Sequence, residues 1–273
     1  LKVGDTINYN PSGTYNWNKE YATSNDTGTQ TLSSSTGESF NVSQWKVLSI
    51  DKNANKIEIV PATIPSGTVT LQGAQGYNNA VLLLNQACSS LYGNSSKGIT
   101  ARSIKEEDFV KVGGENWTNE RATYESKGSI QYGNRTSPYT ELRWYPSIYI
   151  QENGCLTDGK MPDTAKYGQS QQVSLIKDSA NRATVSIQPR QSSYVTTDYA
   201  TTAKILGEYS KILLQNGEST QYWIATRCID LYQTYCWFDI CRINSGYFSP
   251  YGMYYSGGGT LSKSHSICSV LSL

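Results

Sequence analysis

The last quarter of the chain restricts the fold most, because short apolar runs alternate there with turn residues. QYWIATR (221–227) and CWFDICRI (236–243) are rich in β-branched and aromatic residues, and the shorter runs GYFS, MYYS and ICSVLSL follow them. Runs of this length and composition are typical of β-strands. Residues 221–273 therefore predict a series of short strands that closes the chain.

The same tract combines large aromatic rings with small polar residues and few charges. The rings belong to Tyr232, Tyr235, Trp237, Tyr247, Phe248, Tyr251, Tyr254 and Tyr255. Tyr and Trp supply contact area at a low entropic cost, and Ser, Gly and Asn supply adaptable hydrogen bonds. This composition favours a binding surface over a catalytic cleft. A Tyr-rich sheet edge without a binding role is the alternative interpretation.

Length and charge exclude several classes of protein. The 273 residues suit one large domain or two small ones. Charged residues make up 16% of the chain, below the usual quarter, and the net charge is +1. We therefore expect no nucleic-acid partner, because the chain lacks the excess of positive charge that binds phosphates. The abundance of Asn, Ser, Thr, Gly and Tyr favours an extracellular β-rich protein.

The sequence contains no run of eighteen apolar residues, so we expect this chain to make no membrane contact. It begins at Leu1, directly in a polar, β-like stretch. We expect that an export signal or an N-terminal anchor segment has been removed from a longer protein.

Alternating patterns predict strands in the first part of the chain. QWKVLSI (44–50) and KIEIV (56–60) flank an Asp/Asn-rich turn, which indicates a β-hairpin. TVTLQ (68–72) predicts another short strand.

Helical spacing predicts three helices. The first begins near Tyr77 and ends at Gly93, with apolar residues on one stripe. The capping-box pattern at 103–106 predicts a short second helix over 104–111, and residues 200–217 predict a third. The polar, irregular middle, 112–197, indicates long functional insertions.

Residues that could act in catalysis or bind a metal are scarce. His265 is the single histidine, and its neighbours are small and polar. A triad needs a nucleophile, a base and an orienting group, so we predict no catalytic residues and no enzyme. The cysteine spacings match no common zinc signature, and we predict no metal and no cofactor.

The six cysteines favour disulfides if the protein is exported. Cys228 and Cys236 flank a short polar tract and are candidates for a disulfide bond that closes a hairpin loop. Fifteen connectivities exist for six cysteines, and sequence does not choose among them. Reduced, buried cysteines are the alternative.

Several motifs in the tract resemble a bacterial C-type-lectin-like domain. They are YWIATRC, then C-x-F-x-(I/V)-x-R-(I/V)-N-S-G, then M-Y-x-S-x-G and a closing V-(V/L)-S-L. The residues that match them are Tyr222, Trp223, Arg227, Cys228, Cys236, Phe238, Ile240, Arg242, Asn244, Ser245, Gly246, Met253, Tyr254, Ser256, Gly258 and 270–273. Residues 71–109 are also similar to that family, and the matches together cover about half the chain.

This resemblance implies an α+β, C-type-lectin-like fold. The expected architecture is a single domain over 1–273, with short antiparallel strands, two or three helices and long irregular insertions. Within that fold, residues 226–268 are similar to the variable region of proteins diversified by retroelements in bacteria and phages. Such proteins are exported or displayed, and an adenine-directed copying process randomises selected codons, mostly Asn codons.

The resemblance divides the tract into scaffold and display positions. Phe238, Ile240, Ile243, Gly246, Met253 and Val270 are expected to hold the scaffold. The expected ligand-binding residues are Asp230, Leu231, Tyr232, Tyr235, Trp237, Asp239, Tyr247, Ser249, Tyr251, Tyr255, Leu261, Lys263 and His265. Adenine change in an Asn codon does not reach Trp or Lys, so Trp237 and Lys263 are fixed or arose from other codons.

Strand alternation refines this division. Cys236, Phe238, Ile240 and Arg242 are expected on one face, which is core apart from Arg242, and Tyr235, Trp237, Asp239 and Cys241 on the display face. The family usually carries Arg-Pro where this chain has Cys268-Ser269, which introduces a Cys241–Cys268 pairing as a further option.

Three functions remain open from the sequence. The first is a displayed binding protein for an unknown protein or carbohydrate ligand, on a cell surface or a phage virion. The second is a surface adhesin or minor pilin-like subunit that is not diversified. The third is an enzyme related to the formylglycine-generating branch of the same broad fold, which requires reactive cysteines or copper.

Overall fold

The computed structural model describes a large part of the chain. The described residues are 1–17, 19–22, 29–32, 39–109, 111–112, 130–131, 144–146, 148–149, 164–165, 203–205, 207–232, 235–255 and 257–273. The predicted insertion-rich middle, 112–197, lies almost entirely outside them. The expectation of a single domain over 1–273 therefore stays a prediction.

The structure is α+β and consists mostly of sheet. The strands are β1 (Thr6–Asn8), β2 (Lys19–Ala22), β3 (Thr29–Leu32), β4 (Gln44–Asp51), β5 (Lys56–Pro61), β6 (Val69–Gln72), β7 (Thr100–Ser103), β8 (Ile130–Gln131), β9 (Thr164–Ala165), β10 (Ala203–Lys204), β11 (Gln221–Tyr232), β12 (Tyr235–Asn244), β13 (Tyr247–Tyr255), β14 (Gly259–Thr260), β15 (Ser262–Ile267) and β16 (Ser269–Ser272). The long helix α1 spans Gly73–Tyr92. The predicted hairpin and the strand at 68–72 are confirmed as β4–β5 and β6.

A five-stranded sheet has the order β1-β4-β5-β16-β7. The closing strand β16 pairs antiparallel with β5 on one side and with β7 on the other. Ser269, Val270 and Leu271 are fully buried. The last strand of the chain is therefore an interior strand, and Cys268-Ser269 fits into it without exposing the backbone.

A second, seven-stranded sheet carries the closing tract. Its order is β10-β13-β12-β11-β15-β6, and β14 pairs with β13. β11, β12 and β13 form an antiparallel meander, whereas β11 and β15 run parallel. Ser245 and Gly246 connect β12 to β13, and both have a positive φ, 52° and 81°. A two-residue turn of this kind matches the twist of the strands that it joins.

Two hydrophobic clusters fill the interior, and neighbouring residues of a strand often belong to different clusters. The α1 cluster contains Ile59, Trp223, Phe238 and Ile240 together with the buried stripe of α1. The second cluster contains Leu48, Val60, Tyr222, Cys241, Ile243 and Val270. Because successive side chains of a strand point to opposite faces, both faces of these central strands are buried.

The prediction of the first helix is confirmed. Tyr77, Val81, Leu84 and Cys88 lie on one stripe and are almost fully buried. The helix ends before Gly93, whose N–H bonds to the Ser89 carbonyl. Gly93 has an extended conformation, which any residue can adopt, so its backbone angles do not require a glycine. A lack of space does, because a Cβ there would lie 2.6 Å from the Ser89 oxygen.

The second predicted helix is present but begins later than expected. Residues 106–109 and 111–112 are helical. The Asp108 carboxylate accepts the Lys105 backbone N–H at 2.9 Å, and Thr226 Oγ1 accepts that of Glu106 at 3.0 Å. Asp108 also receives two bonds from Arg102, of 2.6 and 2.7 Å. The helix start is thus set by Asp108 and by β11, and not by Ser103.

The predicted helix over 200–217 is wrong. Residues Ala203–Lys204 form β10 on the edge of β13, Gly207–Tyr209 form a 3-10 turn, and the α-helix is limited to Ser210–Leu213. Gly207 has a φ of 67°, which an α-helix does not accommodate. Ile205, Ile212 and Leu213 of this segment pack with Phe248 and Tyr222 in the second cluster.

Among the described residues, no helix is both long and apolar enough to cross a membrane.

Candidate functional site

Strand β12 runs through the interior, so its faces do not divide into core and display as expected. Phe238 and Ile240 pack in the α1 cluster, as predicted. Asp239 is 5% exposed and Cys241 is 2% exposed, so the prediction that both face solvent is wrong. The second cluster covers that side of the strand.

The exposed part of the candidate set lies mainly on β13 and around the start of β15. Tyr247, Ser249 and Tyr251 alternate along β13, and Phe248 between them points into the second cluster. Tyr247 is 40% exposed and Leu261 is 38% exposed, whereas Ser249 and Tyr251 are half-buried. Tyr251 reaches β15, where its hydroxyl donates to the Ser262 carbonyl at 3.4 Å.

We call this region the Tyr251 surface. It consists of Tyr247, Ser249, Tyr251, Leu261 and Lys263, all of which are exposed or half-buried. Five of the thirteen candidate residues thus belong to one region.

Arg242 supports the Tyr251 surface from beneath. Its guanidinium carbon lies 4.5 Å from the centre of the Tyr251 ring, a cation–π contact. Arg242 is opposite Ser249 on β13 and opposite Trp223 on β11. It was expected on the core face as the one charged exception there. The charge at that position was the signal in the sequence that Arg242 differs from its apolar neighbours on the strand.

His265 was expected to be displayed, and this prediction is wrong. It is 1% exposed, and its ring lies 4.6 Å from that of Trp223. Its Nε2 lies 2.9 Å from Arg242 Nη1. A guanidinium only donates, so Nε2 accepts and the proton of the neutral ring is on Nδ1. His265 therefore holds Arg242 in place and does not offer a contact to a ligand.

The charge around His265 agrees with this neutral ring. Burial, followed by the positive charges of Arg242 and Lys263, lowers the pKa of His265 from 6.5 to about 3. Burial also lowers the pKa of Arg242 from its ordinary value, although a guanidinium remains protonated at neutral pH. Neither Arg242 nor Lys263 makes an ion pair with a described carboxylate. The Tyr251 surface therefore has two cations at it or beneath it that no described carboxylate pairs with.

Trp237 and Tyr255 form a separate pair on the opposite side of the sheet. They are cross-strand partners, and their ring centres are 5.0 Å apart. A Cβ on Gly252 would lie 2.7 Å from the Trp237 ring. A Cβ on Gly259 would overlap the ring of Tyr255 in the same way. Two glycines therefore allow these rings to lie flat on the sheet, where both are half-buried.

The remaining candidates are on the hairpin that joins β11 to β12. Tyr232 is paired with Tyr235, Leu231 with Cys236 and Asp230 with Trp237. The backbone of these residues is described, whereas the side chains of Asp230, Leu231, Tyr232 and Tyr235 lie outside the described part of the structure. Their predicted display stays a prediction.

The cysteines do not have the predicted neighbours. The register places Cys236 opposite Leu231, and Cys228 opposite Asp239, so the expected Cys228–Cys236 disulfide bond does not match the pairing of the strands. Instead, Cys228 Sγ lies 3.6 Å from Cys241 Sγ. Cys88, Cys228, Cys241 and Cys268 are all buried, and none of them is in a disulfide bond. The Cys241–Cys268 alternative is therefore not the arrangement in the structure.

Within the described residues, no three His, Cys, Asp or Glu side chains come together in a way that would hold a metal ion. No model of a known protein family, no curated protein and no solved structure matches the chain. Its function has to be argued from its own geometry.

Proposed function

We propose that the protein is a displayed ligand-binding protein with a C-type-lectin-like fold, and that the Tyr251 surface is the centre of its binding site. The ligand is a protein or carbohydrate on a cell or phage surface. The observation that carries the proposal is the combination of aromatic rings and two cations at this surface. Exposed and half-buried tyrosines lie there beside Arg242 and Lys263, over a tightly packed sheet.

Rigid support is what makes such a surface suitable for binding. Tyr251 is held between the Arg242 guanidinium and the Ser262 carbonyl, so its ring is ordered before a ligand arrives. Ordering side chains in advance lowers the entropic cost of association. Binding then depends on the rings, and Ser249 supplies an adaptable hydrogen bond.

The proposal includes diversification of the tract by a retroelement. The geometry supports it in one respect: Tyr247, Leu261 and Lys263 are exposed, so changes there need not disturb the clusters beneath. Asp239 and His265 are excluded from the variable set, because both are buried. A constant adhesin or pilin-like subunit is the competing possibility.

The binding site is tested with a pair of matched double variants. Tyr247→Ala with Lys263→Ser removes one exposed ring and one exposed charge from the Tyr251 surface. Tyr209→Ala with Lys211→Ser removes the same groups from an exposed turn elsewhere. The probes are an array of defined glycans and an array of purified bacterial surface proteins.

We expect the wild type and the Tyr209/Lys211 variant to bind the same probe, and the Tyr247/Lys263 variant to lose at least tenfold in affinity with an unchanged melting temperature. Equal binding by both variants would refute the assignment of the site. The absence of binding on both arrays would refute the proposed ligand classes.

Diversification is tested on the gene and its neighbourhood. We expect a nearby reverse transcriptase gene and a near-copy of the 3′ end of the coding sequence that differs at adenines. Sibling sequences should differ at Tyr247, Tyr251 and Leu261 and agree at Phe238 and Ile240. Siblings that vary evenly along the chain would favour the constant adhesin.

A further inference from the structure

We propose that Cys228 and Cys241 form a disulfide bond between β11 and β12 when the chain folds under oxidising conditions. Their sulfur atoms are 3.6 Å apart, and both side chains are almost fully buried in the second cluster. This inference stands apart from the proposed function, because it depends on the strand pairing and not on any ligand.

The pairing of the strands explains why these two cysteines meet. The register of β11 and β12 shifts between Trp223 and Arg227, where β11 contains two more residues than β12. Cys241 lies opposite this irregular segment, and Cys228 is the second residue of the regular pairing, which begins at Arg227. Because both side chains point into the same cluster, their sulfurs approach each other diagonally across the strands.

The chemistry needs an oxidant, and a small-molecule disulfide such as oxidised glutathione is sufficient. A thiolate of one cysteine attacks the oxidant, forms a mixed disulfide and releases one reduced thiol. The second cysteine then attacks the mixed disulfide and releases the other. Two protein thiols thus become one disulfide, and one molecule of oxidant becomes two thiols. The sulfurs must move together by roughly 1.5 Å to reach bonding distance.

Burial determines when this reaction takes place. The hydrogen bond to Cys241 and then burial raise the pKa of the Cys228 thiol well above its ordinary value. Thiolate is the reactive form, so the folded, reduced protein reacts slowly. We therefore expect the bond to form while the chain folds, before the second cluster excludes solvent.

The bond would link β11 and β12 part-way along the hairpin, between its turn and the outer pairs Gln221–Asn244 and Tyr222–Ile243. Cys228 and Cys241 are 13 positions apart, and the segment between them contains the candidate residues Asp230, Leu231, Tyr232 and Tyr235. A covalent link at this position restricts the unfolded chain and holds the two strands together.

Peptide mapping tests the pairing directly. The full chain is refolded once with reduced and oxidised glutathione and once with a phosphine reductant. Free thiols are then alkylated in denaturant, and the digest is analysed by mass spectrometry without reduction. We expect a linked pair of peptides containing Cys228 and Cys241 in the oxidised sample alone, two hydrogen atoms lighter than the sum of the free peptides. Alkylation of both residues, or pairing of either one with another cysteine, would overturn the proposal.

Thermal melting gives a second readout with an internal control. We expect the oxidised protein to melt on the order of 5–10 °C higher than the reduced protein. Cys241→Ser should abolish this difference, whereas Cys268→Ser, at another buried thiol, should keep it. If a variant does not fold, the peptide map of the unaltered chain still decides. A difference that survives Cys241→Ser would contradict the assignment.

Discussion

The exposure and role of His265 depend on neighbours that are distant in the sequence. Its polar surroundings in the sequence, TLSKSHSICS, predicted exposure. In the structure Trp223 and Arg242 enclose it, and its ring is neutral. The physical reason is that β15 enters the sheet beside β11, which buries the second half of the strand and leaves the first half exposed.

The buried, neutral His265 predicts a dependence of stability on pH. The unfolded chain binds a proton on this ring below about pH 6.5, whereas the folded protein excludes it down to about pH 3. The free energy of unfolding should therefore be constant above pH 6.5 and decrease as the pH falls below it. The slope approaches about 1.4 kcal/mol per pH unit. Urea unfolding at pH 7.5, 6.0 and 5.0 measures it.

His265→Gln is the matched control for this prediction. The chain has a single histidine, so no other imidazole contributes between pH 5 and 6.5. The variant should be less stable at pH 7.5, because Gln loses the ring contact with Trp223 in a fully packed site, but its stability should barely change down to pH 5. If the variant keeps the slope of the wild type, another group is responsible for it.

At the scale of elements, local patterns predicted those parts whose conformation is determined locally. The hairpin β4–β5 and the helix α1 have clear periods, and both are present. The segment 200–217 also had a helical period, but β13 captures Ala203–Lys204 as an edge strand. Apolar spacing alone does not distinguish a helix from a segment packed irregularly on a sheet.

Two substitutions in the turn between β12 and β13 should change the free energy of unfolding in opposite directions. Ser245 and Gly246 both have a positive φ, a conformation that Asn tolerates better than Ser and that Gly tolerates best. Ser245→Asn should raise the free energy of unfolding by a few tenths of a kcal/mol, and Gly246→Ala should lower it by about 1 kcal/mol. Chemical denaturation of the two variants beside the wild type measures both.

A steric clash would not explain a loss of stability in Gly246→Ala, because a Cβ there would lie an ordinary 3.6 Å from its nearest neighbour. A loss in Gly246→Ala would thus report backbone strain alone. Two variants that shift stability in the same direction would show that the turn is not of this type.

At the scale of the whole molecule, Phe238 joins parts that are far apart in the sequence. Its ring contacts Tyr77 of α1, Tyr145 and Tyr149 of the described middle segment, and Tyr254 of β13. The centre-to-centre distances are 5.0–6.1 Å. Such a residue holds β12 and β13 to the core, and its position in the C-x-F-x-(I/V) pattern was correctly assigned to the buried interior.

Phe238→Ala should lower the free energy of unfolding by about 3–5 kcal/mol, because it removes a fully buried ring and leaves a cavity. Phe238→Leu keeps most of the volume and should cost much less. Calorimetry or chemical denaturation distinguishes the two. Equal losses would indicate that the ring contacts, and not the filled volume, matter most.

The elements with a strong local period, which are the hairpin, α1 and the strands of the closing tract, follow from the sequence. The sequence also indicates the tract that contains the Tyr251 surface, and Tyr247 and Lys263 within it. Which of these residues are exposed depends on the packing of the folded chain. β12 packs between two clusters, so the alternation that marked Asp239 and Cys241 as displayed separates two buried faces. The period of a strand shows that its faces differ, but what covers each face depends on residues that are distant in the chain.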